Sequence, residues 1–173
     1  MKFTMASIEI SEIPTITFVN HASVVFSYKK IRLITDPWLF GSAFNNNWDL
    51  ISKSKMQIKD FEKITHIWFS HEHPDHFAIQ VLRLIPEEVR KKIQVLFQDT
   101  LDHRVAKKCR ELGFQVTEMK HNKVYKLDDE FNVKCNPYGF YDSWLCLEMG
   151  RKKILNINDC GIDSYSQSKY IHK

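Results

Sequence analysis

The feature that most constrains this sequence is a short run of metal-ligand side chains within residues 69–77. Three histidines and one aspartate stand there at the spacing H-x-H-x-D-H, namely His71, His73, Asp75 and His76. The run directly follows residues 64–69, whose β-branched and aromatic side chains predict a buried strand. Side chains two positions apart on an extended segment point the same way, so His71 and His73 can close on one ion. Pro74 suits the first turn of a helix, which keeps Asp75 and His76 close by.

These side chains form two half-sites, one with two imidazoles and one with a carboxylate and an imidazole. Nitrogen and oxygen ligands of this kind suit zinc, iron or manganese. A lone histidine on an apolar face is more often a core residue, and two among polar residues are compatible with a solvated loop. Four ligand-type side chains between a buried strand and a helix favour metal binding. We therefore expect two divalent metal ions, with zinc first and iron or manganese as alternatives.

The spacing of His71, His73, Asp75 and His76 after a buried strand resembles the signature of the metallo-β-lactamase superfamily. Residues 20–23 and 33–39 resemble the opening hairpin of the branch that holds N-acylphosphatidylethanolamine phospholipase D and the ascorbate lactonases. Residues 153–160, taken with the Asp-Pro-Trp-Leu segment at 36–39, are most similar to the metallo-β-lactamase-like domain of CMP-N-acetylneuraminate monooxygenase. The resemblance implies an α/β fold, an αββα sandwich with a short or truncated C-terminal half, in one domain over residues 1–173.

The resemblance also implies roles for individual residues. Asp159 would bridge both ions, and Asp75 would bind the second ion and accept a proton from the nucleophile as the catalytic residue. His21 and Asp36 would support the ligands; a strand-end carboxylate such as Asp36 can orient a metal-bound histidine, or it can cap a turn. The superfamily's third histidine for the first ion has no counterpart in residues 136–143, where Asp142 could replace it. The last histidine also lacks a counterpart, and His172 in the polar tail is a poor candidate.

Four aromatic residues are concentrated in a stretch that cannot form a long regular element, because it contains a glycine and three consecutive asparagines. These residues are Trp38, Phe40, Phe44 and Trp48. An aromatic-rich loop beside a metal site can line a substrate groove. It can equally be a lid that covers the core.

The remaining pattern predicts two differently built halves. Short strands at 8–10, 15–19, 23–27 and 31–35 are followed by a strand, helix, strand rhythm that predicts parallel β-α-β units. Helices are expected at 77–85 and from Asp99 or Thr100 through Leu112, with Leu101 on the apolar stripe and His103 in solvent. Four short β segments between residues 123 and 157 predict an antiparallel second sheet. His121, in the turn that enters this sheet, is the remaining histidine that could reach the site.

Bulk properties exclude several classes of protein. A hydrophobic content of 43% in 173 residues rules out whole-chain disorder. No apolar run has membrane-spanning length and no leader pattern is present, so we expect a cytoplasmic protein without membrane insertion. The four cysteines form no Cys-x-x-Cys pair. The net charge of +4 comes from scattered basic groups at expected turns, so nucleic acid is not indicated. The oligomeric state is not predicted.

The function that follows is a metal-dependent hydrolase that uses a metal-bound hydroxide on a small-molecule ester, lactone, amide or phosphodiester. One alternative is a component of an oxygenase that acts on a nucleotide sugar such as CMP-sialic acid. It would need a separate electron donor, because the chain has no Cys-x-His and Cys-x-x-His pairs for a Rieske cluster. The other alternative is a degenerate member that binds metal or ligand without turnover.

Overall fold

The computed structural model describes residues 11–169, which contain two β-sheets. The first sheet has six strands in sequence order: β1 (Ser11–Asn20), β2 (Ser23–Lys29), β3 (Ile31–Thr35), β4 (His66–Trp68), β5 (Gln94–Gln98) and β6 (Gln115–Met119). Strands β1 to β3 pair antiparallel, and β3 to β6 pair parallel. The second sheet is antiparallel throughout, in the order β10, β9, β8, β7, with β7 (Val124–Asp128), β8 (Phe131–Tyr138), β9 (Asp142–Met149) and β10 (Lys152–Asn156).

The helices are short. They are α1 (Ile79–Leu84), α2 (Glu87–Arg90), α3 (Arg104–Glu111) and α4 (Tyr165–Ser168), with a 3-10 helix at Ile58–Lys63. Helix α3, the longest in residues 11–169, has eight residues. An apolar helix that crosses a bilayer needs about 20 residues, and no described helix meets that requirement.

Two apolar cores lie on the two faces of the six-stranded sheet. Alternate residues of each strand point to opposite faces, so Ile67 packs with helices α1 to α3 while its neighbour Trp68 packs against the second sheet. Both side chains are fully buried. This explains the continuous apolar character of residues 64–69, since a strand covered on both sides needs no polar face. The result is a layer of helices, the mixed sheet and the antiparallel sheet.

The parallel pairing positions the site. The carboxyl ends of β3, β4 and β5 lie at one edge of the sheet, so the loops that follow them emerge side by side. The Asp36 amide after β3 donates to the Trp68 carbonyl at the end of β4, at 3.0 Å. Residues 69–76 therefore leave the sheet next to Asp36.

Two helices differ from the sequence-based expectation at their starts. The predicted helix at 77–85 is α1, which begins at Ile79, because the Phe77 amide closes a separate turn onto the His73 carbonyl at 2.7 Å. The helix expected from Asp99 or Thr100 begins only at Arg104. Asp102 accepts a hydrogen bond from the Arg104 amide at 3.2 Å, so residues 99–102 form a loop. Leu101 is consequently fully exposed and not part of the apolar stripe.

The remaining strands of the first half are close to their predicted positions, with β1 longer and β4 shorter than expected. The antiparallel second sheet was predicted correctly, and its four strands overlap the four predicted segments. The predicted strand at 8–10 and His172 lie outside the described residues.

Candidate metal centre

The candidate site is assembled from four separate segments of the chain. His21 lies in the tight turn between β1 and β2, Asp36 follows β3, residues 70–76 follow β4, and Asp159 follows β10. His71, Asp75, His76 and Asp36 are all buried, whereas His73 and Asp159 reach the surface. The site is thus a buried group of ligand-type side chains that opens to solvent on one side.

His71 and His73 approach each other through ring nitrogens that face the same point. His71 Nε2 lies 2.8 Å from His73 Nδ1. Two nitrogens bound to one tetrahedral zinc at 2.0–2.1 Å would be about 3.3 Å apart. A small adjustment of the exposed His73 ring would therefore let both nitrogens bind one ion.

The other donors form two overlapping groups that share His76. One group is His21, Asp75 and His76, and the other is His71, His76 and Asp159; within each, the donor atoms lie within 4.8 Å of one another. Asp75 Oδ2 is 3.1 Å from His21 Nε2 and 3.4 Å from His76 Nε2. His76 Nε2 is also 3.4 Å from Asp159 Oδ2. The arrangement offers ligands for two ions close together.

Two buried polar atoms at the centre of this group have no hydrogen-bond partner. They are Asp75 Oδ1 and His76 Nε2. Leaving a buried polar atom unsatisfied costs about 1–3 kcal/mol, and more for a charged group. Both atoms are typical metal ligands, and a cation would satisfy both. The residues present therefore fit a divalent metal centre.

Asp36 organises the base of the site without facing its opening. Its carboxylate accepts a hydrogen bond from the Ser70 amide at 2.8 Å and another from Asn158 Nδ2, and it lies 3.2 Å from His76 Nδ1. His76 donates its Nδ1 proton to this carboxylate, which leaves Nε2 directed at the other donors. A carboxylate that fixes the far nitrogen of a ligating histidine is a common supporting contact in metal sites.

His21, Asp36 and Asn158 all have left-handed backbone, with φ of 46°, 39° and 47°. This region is uncommon for residues other than glycine, and histidine, aspartate and asparagine enter it more readily than most. Such backbone is concentrated at functional sites.

The close packing of carboxylates and imidazoles shifts their pKa values. Burial lowers the pKa of His76, but the nearby carboxylates of Asp36 and Asp75 outweigh burial and raise that pKa to about 10. Burial raises the pKa of Asp75, but contacts with His76 and His21 bring it down to about 2. Burial and the neighbouring His76 charge lower the pKa of His71. Asp75 is therefore a carboxylate at neutral pH, as a metal ligand must be.

Asp142 lies beside the first half-site but not among the converging donors. Its Oδ1 is 3.5 Å from His71 Nδ1, the nitrogen that faces away from His73. Ser70 Oγ contacts the same nitrogen at 2.9 Å. Asp142 thus stands where it can orient His71, and its predicted role as a substitute ligand stays a prediction.

The four aromatic residues of the predicted substrate loop have different environments. Trp38 is buried, and its ring meets the His21 ring edge-on at 5.2 Å between centroids. Phe44 lies 5.9 Å from the His73 ring and 5.0 Å from the Trp48 ring, so Phe44 borders the site and Trp48 packs on Phe44. Phe40 lines a different groove, with residues 39, 41–42, 49–54 and 56–58.

Ser70, Ser143 and Asn158 were not identified from the sequence as parts of the site. Ser143 Oγ donates to the Ser70 carbonyl at 2.6 Å, across 73 positions of chain. Ser70 adjoins the first histidine and Asn158 adjoins Asp159, so proximity to a ligand was the only available signal. The role of Ser143 depends on how the two sheets pack, which residue spacing does not reveal.

Two other histidines lie apart from the centre. His103, expected in solvent, has 45% of its side chain exposed, bonds to Glu118 and has Asp99 3.9 Å away. His121 is exposed and contacts Asn122 at 3.0 Å.

Comparison with known proteins gives consistent results. A sequence profile described as "Beta-lactamase superfamily domain" matches residues 15–140. A cytidine monophosphate-N-acetylneuraminic acid hydroxylase from Cricetulus griseus is 26% identical over 152 residues, which are 84% of this chain and 27% of that protein. The chain thus spans about a quarter of that relative.

Two solved structures are similar in fold over 90% of the chain. CmlA, a diiron β-hydroxylase from Streptomyces venezuelae, has a TM-score of 0.68 at 17% identity, with 31% of its own chain covered. A protein from Veillonella parvula, described as "a possible metal-dependent hydrolase", has a TM-score of 0.69 at 15% identity, with 65% of its chain covered. At these identities the likeness concerns the fold alone.

Proposed function

This chain belongs to the β-lactamase superfamily, and we propose that it is a metal-dependent hydrolase acting on a small-molecule ester, lactone, amide or phosphodiester. The proposal assigns two divalent cations, with zinc first and iron or manganese as alternatives. One would be held by His71 and His73. The other would be held by Asp75, His76 and His21, with Asp159 between the two.

The observation that carries the proposal is the pair of buried, unpartnered atoms Asp75 Oδ1 and His76 Nε2. A purely structural cluster would satisfy its polar atoms internally, as Asp36 does with three donors. The unpartnered Asp75 and His76 atoms lie next to donors on His71 and Asp159. This arrangement supports a centre that binds cations. The superfamily membership and the fold likeness to metal-dependent proteins support the same assignment.

Bound divalent cations would supply Lewis acidity, which lowers the pKa of water from about 15.7 toward 7 and polarises a carbonyl or phosphoryl oxygen. Asp75 is ionised at neutral pH and faces the centre, so it can accept the proton released from the nucleophile. His21 Nε2 lies 3.1 Å from Asp75 Oδ2, and this contact keeps the Asp75 carboxylate in place. Asp36 and Ser70 keep the rings of His76 and His71 in position throughout.

The test is turnover of generic lactone, aryl ester and phosphodiester substrates by zinc-loaded, iron-loaded and manganese-loaded protein. The proposal expects turnover that disappears with a chelator and in the His71→Ala, His73→Ala double variant. His121→Ala is the matched control, because this exposed histidine lies apart from the centre. Activity that survives in the double variant would refute the proposal. Tight metal binding without turnover on any substrate would instead favour the non-catalytic alternative.

The second candidate is an oxygenase component, favoured by the hydroxylase relative from Cricetulus griseus and the likeness to a diiron β-hydroxylase. The same donor set of imidazoles and carboxylates suits iron. The chain has no Cys-x-His and Cys-x-x-His pairs for a Rieske cluster, so a separate protein or segment would have to supply electrons. Protein purified with iron rather than zinc, and inert toward hydrolysable substrates, would favour this candidate.

A further inference from the structure

A cleft of about 350 Å³ lies directly beside the candidate metal centre. Its walls are the loop after β5, the start of α3 and the tip of the β8–β9 hairpin. The apolar part of its lining consists of Phe97, Leu101, Val105, Pro137, Phe140 and Tyr141. Phe97 and Val105 are buried and form a fixed floor, whereas Leu101 and Phe140 are almost fully exposed and form the rim.

The cleft is joined to the metal centre by three residues. Glu72, which lines it, stands between His71 and His73 in the sequence. The Tyr141 ring lies 6.4 Å from the His73 ring. Gln98 is buried and its amide donates to the Tyr141 carbonyl at 2.5 Å, with the Ser70 carbonyl at 3.5 Å. A molecule seated in this cleft would therefore lie next to the His71 and His73 side of the centre.

The charged lining of the cleft is negative. Glu72, Asp99 and Asp102 face a single cation, Arg104. The Arg104 guanidinium is already bonded to two of these carboxylates, to Glu72 at 2.9 Å and to Asp102 at 2.5 Å. The Asp99 carboxylate lies 3.9 Å from His103 Nδ1. The formal charge of the lining is thus −2, and its guanidinium is engaged, so an anionic ligand would meet repulsion.

A second groove, of about 660 Å³, is larger but is a poorer candidate for substrate. It is lined by residues 39–42, 49–54 and 56–58, and no residue of the loop that carries His71 and His73 is among them. The smaller cleft is the better candidate because Glu72 of the His71–His73 loop lines it and its Tyr141 ring lies 6.4 Å from the His73 ring.

We infer that this cleft binds the part of the substrate that does not react, and that this part is compact, apolar or aromatic, and free of negative charge. The inference rests on the proposed function. It selects substrates whose non-reacting part is uncharged over nucleotide sugars, because the non-reacting part of a nucleotide sugar carries the negative charge of its phosphate.

The test measures binding rather than turnover, so its outcome is separate from that of the hydrolase assay. Zinc-loaded protein is titrated with 2-naphthol, which is neutral at pH 7, and with naphthalene-2-sulfonate, an anion of similar shape. Methyl resonances of Leu101 and Val105 report occupancy of the cleft. We expect 2-naphthol to shift these resonances and the sulfonate to bind there about five- to tenfold more weakly at low salt, with the difference reduced at 0.5 M salt.

Variants locate the effect. Phe140→Ala and Leu101→Ala should each weaken 2-naphthol binding severalfold, since each removes an exposed apolar wall; Ile51→Ala, in the larger groove, is the matched control. Asp99→Lys should remove the preference for the neutral ligand, whereas Asp129→Lys, an exposed aspartate elsewhere, should keep it. Equal binding of the two ligands by the unmodified protein, or 2-naphthol shifts at residues 49–58 instead, would overturn the inference.

Discussion

Replacing Asp36 by asparagine should weaken metal binding strongly while leaving the ligands themselves intact. Three donors converge on the two oxygens of this buried carboxylate, from the Ser70 amide, His76 Nδ1 and Asn158 Nδ2. An asparagine amide has one oxygen and one NH₂ group. In Asp36→Asn at least one of the three donors would therefore face another donor, and the His76 ring would lose the anion that orients it.

The magnitude can be worked out in two ways. A hydrogen bond to a charged group contributes about 1.5–3 kcal/mol, which corresponds to roughly a 10- to 150-fold change in an equilibrium constant. Loss of a supporting partner of a metal ligand typically lowers metal affinity by about 10- to 100-fold. Both figures predict a loss of metal affinity of about 10- to 100-fold in Asp36→Asn.

The assay is competition for zinc between the protein and a chromogenic chelator at pH 7.5, with thermal unfolding as a check that the variant folds. Asp129→Asn is the matched control, because this carboxylate is 91% exposed and pairs only with Lys126 among the described contacts. Unchanged affinity in a folded Asp36→Asn variant would refute the assignment of Asp36 as the residue that positions His76.

Three further predictions concern other parts of the molecule. Burial lowers the pKa of His66 to about 4. The unfolded chain takes up this proton near pH 6.5 and the folded chain does not, so the free energy of unfolding in urea should fall by about 3 kcal/mol between pH 7 and pH 4. The His66→Gln variant should lack this contribution. A His66→Gln variant whose unfolding free energy falls as much as that of the unmodified protein would contradict this. Asp142→Ala should lower the metal content per chain, and unchanged content by elemental analysis would end its predicted role as a substitute ligand. Leu147→Ala, in the core between the sheets, should cost 2–5 kcal/mol of unfolding free energy, while the half-exposed Leu155→Ala should cost far less; equal costs would contradict the core assignment.

The superfamily and the fold class were predicted correctly from the sequence, because their signals are local. The metal-ligand motif and the apolar strand before it occupy 13 consecutive positions, 64–76. The change from parallel β-α-β units to an antiparallel sheet is visible in the lengths of the predicted segments. The start of α3 was predicted wrongly. The Asp102 side chain accepts a hydrogen bond from the Arg104 amide, so the helix begins after Asp102 and does not include Leu101.

The supporting contacts were less accessible to sequence reasoning because they join distant parts of the chain. Asn158 and Asp36 are 122 positions apart, and Ser143 and Ser70 are 73 apart. His21 was expected to support the ligands, and it lies 3.1 Å from Asp75, a distance that also makes it a candidate ligand. That placement follows from the left-handed turn between β1 and β2, and its role in binding stays a prediction.

The most direct test of a two-ion centre is elemental analysis of zinc, iron and manganese in the purified protein, before and after dialysis against a chelator. The account predicts close to two ions per chain, and close to one or none when His76, which both donor groups share, is replaced in His76→Ala. A full complement of metal in His76→Ala, or protein that takes up no divalent metal even when supplied in excess, would contradict the central claim.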